Sequence, residues 1–232
     1  MFDLIILFLG AFIGGMLAWA FKVSSSNMKI VLSFSGAFML GLSFFHVLPE
    51  AYGVLGENAG IWVLVGFMAQ IVLEVLSKGM EHGHAHALHD KKLPMALFIG
   101  LGLHALLEGL PFGGGGHEHQ HHSLLIGVLI HKVPVAFILG TVLRSSGFTI
   151  GQAALAVLGF SFMAPLGGIV SHFLEGRVIE ATEFQGIALA MLVGVFLHIA
   201  TTIIFESDKG HAFNLSKLVA IMLGFVLAFV SV

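Results

Sequence analysis

The 232-residue sequence contains no cysteine, and only 10% of its residues are charged. Without cysteine the chain forms neither disulfides nor thiolate metal sites, so a metal would need histidine, carboxylate, carbonyl or water ligands. Soluble domains are about 25% charged and about 45–50% apolar. Here 57% of the residues are hydrophobic and the mean hydropathy is +1.01. The composition indicates an integral membrane protein in a lipid bilayer, and a net charge of −3 gives no sign of a nucleic-acid partner.

The apolar residues form long runs without strand-like alternation, which favours helices over a barrel. A spanning helix needs about 20 mostly apolar residues. The predicted fold is an all-α integral membrane protein, a bundle of eight transmembrane helices forming one domain over 1–232. The first run lacks a basic leading segment, so we interpret it as a retained helix and not a signal peptide. The predicted spans are 2–21, 30–49, 60–80, 94–112, 123–143, 151–173, 185–205 and 215–231.

The positions of the basic residues predict the orientation, since cytoplasmic loops carry an excess of Lys and Arg. Eight of the ten basic residues lie in the odd-numbered connections or at the span ends beside them, and Arg177 is alone in the sixth. This split places the odd-numbered connections in the cytoplasm and both termini outside the cell membrane. The eight are Lys22, Lys29, Lys78, Lys91, Lys92, Arg144, Lys209 and Lys217.

Two of the connections are rich in histidine. Such tracts bind divalent metal in an unstructured chain, so we interpret both as loops for local metal capture, with low-complexity drift as the alternative. The third connection, 81–93, is the predicted cytoplasmic loop, and 112–122 is a Gly/His-rich extracytoplasmic loop. The cytoplasmic histidines are His82, His84, His86 and His89, and the extracytoplasmic ones are His117, His119, His121 and His122.

His104 and Glu108 lie four residues apart inside the apolar run LPMALFIGLGLHALLEGLPFG, so both occupy one face of the fourth predicted helix. Burying an ionisable group in a bilayer costs about 2.5–3.5 kcal/mol on insertion scales, so such residues are functional candidates. Imidazole and carboxylate suit zinc and other divalent first-row ions. A polar pair that satisfies itself between helices is the alternative.

The fifth run adds His131, Lys132 and Pro134. Proline removes an intrahelical hydrogen bond and would expose backbone polar groups near His131. A mid-span lysine needs a carboxylate or water, and Glu108 is the obvious partner for Lys132. Together the two runs predict an ion site in the middle of the bundle.

Other polar residues in the apolar runs are less specific. His46 and Glu50 repeat the four-residue spacing near the outer surface, and an entrance site and a polar helix end are equally good interpretations. Glu74 lies one turn before Lys78, which favours a structural ion pair. The lone histidines His172 and His198 are more typical of packing residues than of ligands.

At these residues the chain resembles the Zrt/Irt-like (ZIP) family of divalent-metal transporters, of the prokaryotic type. The fourth-span motif His-x-x-x-(Glu/Asp)-Gly is matched by His104, Glu108 and Gly109, and the fifth-span motif by His131 and Pro134. HVLPEA, Glu74, APLGG and FLHIATT also look like family positions. The resemblance implies eight spans, both termini outside, a His-rich cytoplasmic loop, elevator-like movement and a homodimer.

Three positions depart from the family pattern. Where two-metal members carry ligands or polar residues, this chain has Ala105, Lys132 and Val135. The Lys132 ammonium could stand where a second cation would bind. The sequence therefore predicts a single-metal site of His104, Glu108 and His131.

The resulting prediction is a transporter, not an enzyme, that imports a divalent cation into the cytoplasm. Zn²⁺ is the first choice among Zn²⁺, Fe²⁺, Mn²⁺, Cd²⁺ and Co²⁺, each as substrate and none as a prosthetic group. A metal exporter of the cation-diffusion class, an intramembrane zinc-dependent hydrolase and a metal-sensing membrane protein are the alternatives.

Overall fold

The computed structural model is helical, and it describes residues 2–80, 95–114, 121–175, 177, 179–205 and 215–231. These residues form nine α-helices and no strand longer than an isolated bridge. The all-α prediction is therefore confirmed for the described part of the chain. The helices are α1 Phe2–Ala20, α2 Ser25–Leu42, α3 Leu48–Leu55, α4 Ala59–Ser77, α5 Met95–Gly109, α6 His121–Ser145, α7 Ile150–Leu174, α8 Ala181–Phe205 and α9 Leu215–Val230.

Six helical stretches among the described residues are long and apolar enough to cross a membrane. The second and third predicted spans fall in one of them, the 53-residue stretch Ser25–Ser77, because no loop separates them. The last predicted span corresponds to the shorter apolar helix α9. The other five stretches are Phe2–Ala20, Met95–Phe112, His122–Ser145, Ile150–Leu174 and Ala181–Phe205.

The stretch Ser25–Ser77 is not one straight helix. Gly56 has φ 57° and ψ −140°, a conformation that glycine adopts readily because it has no Cβ. Before this point, Gly36 lies against Ala200 late in α8, and Leu55 lies against Gly186 early in α8. The α2–α3 leg therefore runs antiparallel to α8.

After Gly56 the direction is opposite. Gly66 of α4 lies against Met191, and Glu74 further along α4 pairs with His198 further along α8. The α4 leg therefore runs parallel to α8, and the chain reverses at Gly56.

The helices pack into two groups. In the first group α1 packs against α6 and α7, and α5 packs against α7. In the second group α8 packs against α2, α3 and α4, while α9 packs against α2. The main contacts between the groups are α4 with α5 and α2 with α6.

Contacts at the helix termini show which connections share an end of the bundle. Arg144 at the end of α6 donates a 2.7 Å hydrogen bond to the Ala18 carbonyl at the end of α1. At the opposite end, Ser123 near the start of α6 donates to the Ser231 carbonyl after α9. The first and fifth connections therefore lie at one end of the bundle, and the carboxyl-terminal end of α9 lies at the other.

Glycine allows α4 and α8 to approach backbone to backbone. A Cβ at Gly194 would lie 2.5 Å from the backbone nitrogen of Phe67 and still closer to the Val63 carbonyl oxygen. Small residues at such crossings are typical of helices packed in membranes, where close van der Waals contact replaces the hydrophobic driving force.

Gly194→Ala should therefore destabilise the protein by about 1–3 kcal/mol, because the added methyl group forces α4 and α8 apart. Thermal unfolding of the detergent-solubilised protein measures this as a lowered Tm. Gly53→Ala in α3 is the matched control, since a Cβ there meets nothing within 4 Å. An equal Tm for the two variants would contradict this account of the α4–α8 contact.

Candidate metal centre

The structure brings His104, Glu108 and His131 together. All three side chains are buried, and one ligand atom from each lies within 4.8 Å of the other two. His104 and Glu108 come from one face of α5, and His131 comes from α6. Within the described residues, this is the single group of three histidine or carboxylate side chains close enough to hold a metal ion.

The spacing of these atoms suits a small tetrahedral ion. Ligands on zinc bonds of about 2.1 Å lie about 3.4 Å apart in a tetrahedron. His104 Nε2 and Glu108 Oε1 are 3.3 Å apart, and neither atom makes a hydrogen bond. The His104 and His131 rings meet edge to face, with centroids 5.9 Å apart. Three protein ligands would leave one position for water.

Lys132 occupies the other side of the Glu108 carboxylate. Its Nζ donates to Glu108 Oε2 over 2.5 Å and lies 5.5 Å from the centre of the Phe160 ring. Lys132 and Glu108 are each 1% exposed. The pair expected from the sequence is therefore present, and the carboxylate presents Oε2 to lysine and Oε1 to the histidines.

The two other departures from the family pattern are apolar and buried. Ala105 follows His104 on α5, and Val135 lies one turn after His131 on α6. Neither side chain has an atom that binds metal.

Gln70 was missed by the sequence reasoning. It is buried on α4, and its Oε1 lies 3.1 Å from His104 Nδ1. The sequence indicates a role for Gln70 only weakly, since it is a single amide in the apolar run LVGFMAQIVLEVL, one turn before Glu74.

The APLGG segment holds α5 in place. A Cβ at Gly109 would lie 2.8 Å from Cα of Ala164, and one at Gly167 would lie 3.3 Å from Cα of Gly109. Side chains at these positions would force α5 and α7 apart. The glycine that follows Glu108 therefore allows the ligand-bearing helix to lie directly on α7.

His46 and Glu50 line a cavity of about 260 Å³. His46 lies in a π-helical turn, Ser43–Val47, in which the Leu48 amide donates to the Ser43 carbonyl five residues back. Pro49, which has no N–H to donate, follows directly, and π turns often mark functional sites. The remaining lining residues are Leu42, Phe45, Val47, Pro49, Leu124 and Leu189.

The side-chain partner that the structure shows for Glu74 lies on another helix and is not Lys78, with which the sequence predicted an ion pair. Nε2 of His198 on α8 pairs with Glu74 Oε2, and the His198 ring meets Phe67 edge to face at 5.2 Å. The sequence did not predict that Glu74 and His198 form a pair. His172 lies exposed in the last turn of α7, beside Phe173.

Most of the histidines in the two loops lie outside the described residues, so their predicted role in metal capture stays a prediction. This applies to His82, His84, His86, His89, His117 and His119. His121 begins α6, and His122 beside it is exposed.

Comparison with known proteins identifies the family of this chain. The family described as ZIP zinc transporter matches residues 81–231, which include all three clustered side chains. Zinc transporter ZIP9-B of Xenopus laevis is 20% identical over 268 residues, covering 90% of this chain and 88% of the relative. Zinc transporter ZIP3 of Bos taurus is 29% identical over 158 residues, covering 62% of this chain and 49% of that relative.

The match spans well over half of the chain, and six helical stretches in the described part of the chain are long and apolar enough to cross a membrane. The chain therefore belongs to the ZIP zinc transporter family, and it is a multi-pass membrane transporter of zinc or a related divalent metal.

Proposed function

We propose that the protein imports a divalent cation, first of all Zn²⁺, into the cytoplasm through a site formed by His104, Glu108 and His131. The observation that carries this proposal is the convergence of three buried ligand atoms within 4.8 Å on two helices. Two imidazoles and one carboxylate suit Zn²⁺, and the same ligands also accept Fe²⁺, Mn²⁺, Co²⁺ and Cd²⁺.

The site binds one ion at a time. A second cation next to Glu108 would need ligands where Lys132 and Val135 lie, and the Lys132 ammonium already contacts Glu108 Oε2. The ammonium supplies the positive charge that a second metal would bring. A carboxylate neutralised by lysine on one side still offers Oε1 to a metal on the other.

The cavity at His46 and Glu50 is the proposed entrance. Its walls come from α2, α3 and α8 of the second helix group and from Leu124 of α6 in the first. Leu124 lies seven residues before His131 on α6, or roughly 10 Å at 1.5 Å per residue. An ion leaving the cavity along α6 would therefore reach the site within two helical turns and then leave toward the His-rich segment 81–93.

The two helix groups are the units that would move. All three proposed ligands and Lys132 belong to α5 and α6 in the first group, so the group can carry the ion without exchanging ligands. This arrangement supports an elevator-type movement of the first group against the second.

In the proposed membrane topology all eight apolar segments cross the cell membrane, the chain crosses twice between Ser25 and Ser77, and both termini lie outside. A homodimer completes the proposal.

Hydrolysis is the less suitable chemistry for this site. A zinc hydrolase needs a general base to take a proton from the attacking water. Glu108 is the one carboxylate in the cluster, and its Oε2 is bound by Lys132. ZIP family members are transporters, which agrees with this conclusion.

His104→Ala should abolish most zinc uptake, because it removes one of three ligands. Proteoliposomes that contain the purified protein and a zinc-sensitive dye measure the flux in each direction, and the same assay ranks the other divalent ions. His172→Ala is the matched control, since that histidine is exposed at the end of α7. Uptake by His104→Ala equal to that of wild type would contradict the proposed site. Zinc flux through the wild-type protein in the outward direction only would favour a metal exporter.

Lys132→Asp should raise the number of bound zinc ions from one to two, because it replaces the ammonium with a ligand beside Glu108. Lys132→Leu removes the charge without adding a ligand atom and should leave the number at one. Metal content after equilibrium dialysis of monodisperse protein gives the stoichiometry. One ion in Lys132→Asp would count against the role given to lysine.

Glu108→Gln should destabilise the protein by about 3–5 kcal/mol, because it leaves a buried ammonium without its counter-charge. The double variant Glu108→Gln/Lys132→Met removes both charges and should recover most of the lost Tm. Thermal unfolding of the wild type, the two single variants and the double variant completes the cycle. Additive losses would show that the two charges do not depend on each other.

A further inference from the structure

Gln70 fixes which nitrogen of His104 faces the proposed site. An amide oxygen can only accept a hydrogen bond, so the 3.1 Å contact between Gln70 Oε1 and His104 Nδ1 requires the proton to be on Nδ1. The lone pair is then on Nε2, which lies 3.3 Å from Glu108 Oε1. A metal-binding histidine is commonly oriented by a hydrogen bond to its other nitrogen in this way.

This hydrogen bond also crosses between the two helix groups. Gln70 lies on α4 in the second group, whereas His104, Glu108 and His131 all lie on helices of the first. Through Gln70 the second group therefore contacts a proposed ligand of the first.

The backbones of α4 and α5 are in close contact near Gln70. One turn before His104, a Cβ at Gly100 would lie 2.8 Å from both the Leu73 carbonyl oxygen and the Ser77 nitrogen of α4. The two helices are therefore in backbone contact beside the hydrogen bond. A relative shift of a few ångströms along α4 would separate Gln70 from His104, because N–H···O hydrogen bonds have donor–acceptor distances of only about 2.7–3.2 Å.

We propose that Gln70 is a positioning residue that ties the metal affinity of the site to the relative placement of the two helix groups. With α4 and α5 placed as in this structure, Gln70 holds the His104 Nε2 lone pair on the ion and the site binds tightly. When the first group moves, the hydrogen bond breaks and the same ligands bind more weakly. The inference rests on the proposed function and adds to it the means by which the ion is released.

The expected size of this effect suits release of a transported ion. Removing a hydrogen bond to the outer nitrogen of a metal-bound histidine typically costs about 10–100-fold in affinity. A site that loses this much when it changes sides can capture a scarce ion on one side of the membrane and release it on the other.

The test is a zinc titration of purified full-length protein, combined with zinc flux in proteoliposomes. Gln70→Met keeps the length of the side chain but cannot accept the hydrogen bond. Gln70→Asn keeps the amide but is one methylene too short to reach. Gln70→Glu keeps both the length and an acceptor oxygen, so it is the conservative variant. Ser35→Ala is the control for loss of a buried polar group, since its hydroxyl bonds only within α2.

Gln70→Met and Gln70→Asn should raise the Kd for zinc and the KM for flux at least tenfold, with Vmax within threefold of wild type. Gln70→Glu should keep both the Kd and the KM within threefold of wild type, with the same number of bound zinc ions per protein. Ser35→Ala should leave both constants unchanged. A role in packing alone would lower Vmax through the amount of folded protein and would leave KM as it was.

Three results would overturn the inference. In the first, Gln70→Met binds zinc within twofold of wild type while His104→Ala is impaired, so the proposed site stands and only the role of Gln70 is lost. In the second, Gln70→Glu is as weak as Gln70→Met, which means that the hydrogen-bond acceptor does not matter. In the third, His104→Ala binds and transports like wild type, and the proposed site falls together with the role of Gln70.

Discussion

The carboxylate of Glu108 and the ammonium of Lys132 neutralise each other where neither charge could remain alone. Both are buried in helices that have almost no other charge, and an isolated ion in such surroundings costs several kcal/mol. Their contact fixes one carboxylate oxygen and leaves the other directed at His104. The distances within the candidate site depend on this pair, since without the lysine the Oε2 atom would lose the donor that fixes the orientation of the carboxylate.

Close contact between helix backbones supplies the second constraint. Gly109 lies on Ala164, Gly100 lies on Leu73 and Ser77, and these contacts place α5 between α7 and α4. Helix α5 thus has a partner in each helix group. Polar side chains at such depth are held by the positions of the helices that carry them, because the surrounding hydrocarbon offers no substitute for a misplaced partner.

The sequence was sufficient for the features that depend on one helix at a time. The apolar runs predicted the helices, and a four-residue spacing was enough to put His104 and Glu108 on one face. The pairing of Lys132 with Glu108 followed because an intramembrane lysine requires a carboxylate, and Glu108 lay in the neighbouring run.

Contacts that depend on the rotation and depth of two helices were not predictable in this way. Gln70 with His104, and Glu74 with His198, join residues 34 and 124 positions apart. Hydrophobic periodicity gives the face of a helix but not the height at which it meets another. The reversal at Gly56 was also hidden, because helical turns continue on both sides of it and one glycine carries the change of direction.

The π turn at Ser43–Val47 sets the direction of everything that follows it on the same leg. One extra residue in a turn rotates the rest of a helix by about 100° relative to the part before it. Glu50 and the rest of α3 are therefore rotated by about this angle relative to where a regular continuation of α2 would place them. Deleting a single residue within this turn would leave every residue of α3 in place in the sequence but rotate Glu50 away from the cavity that it now lines.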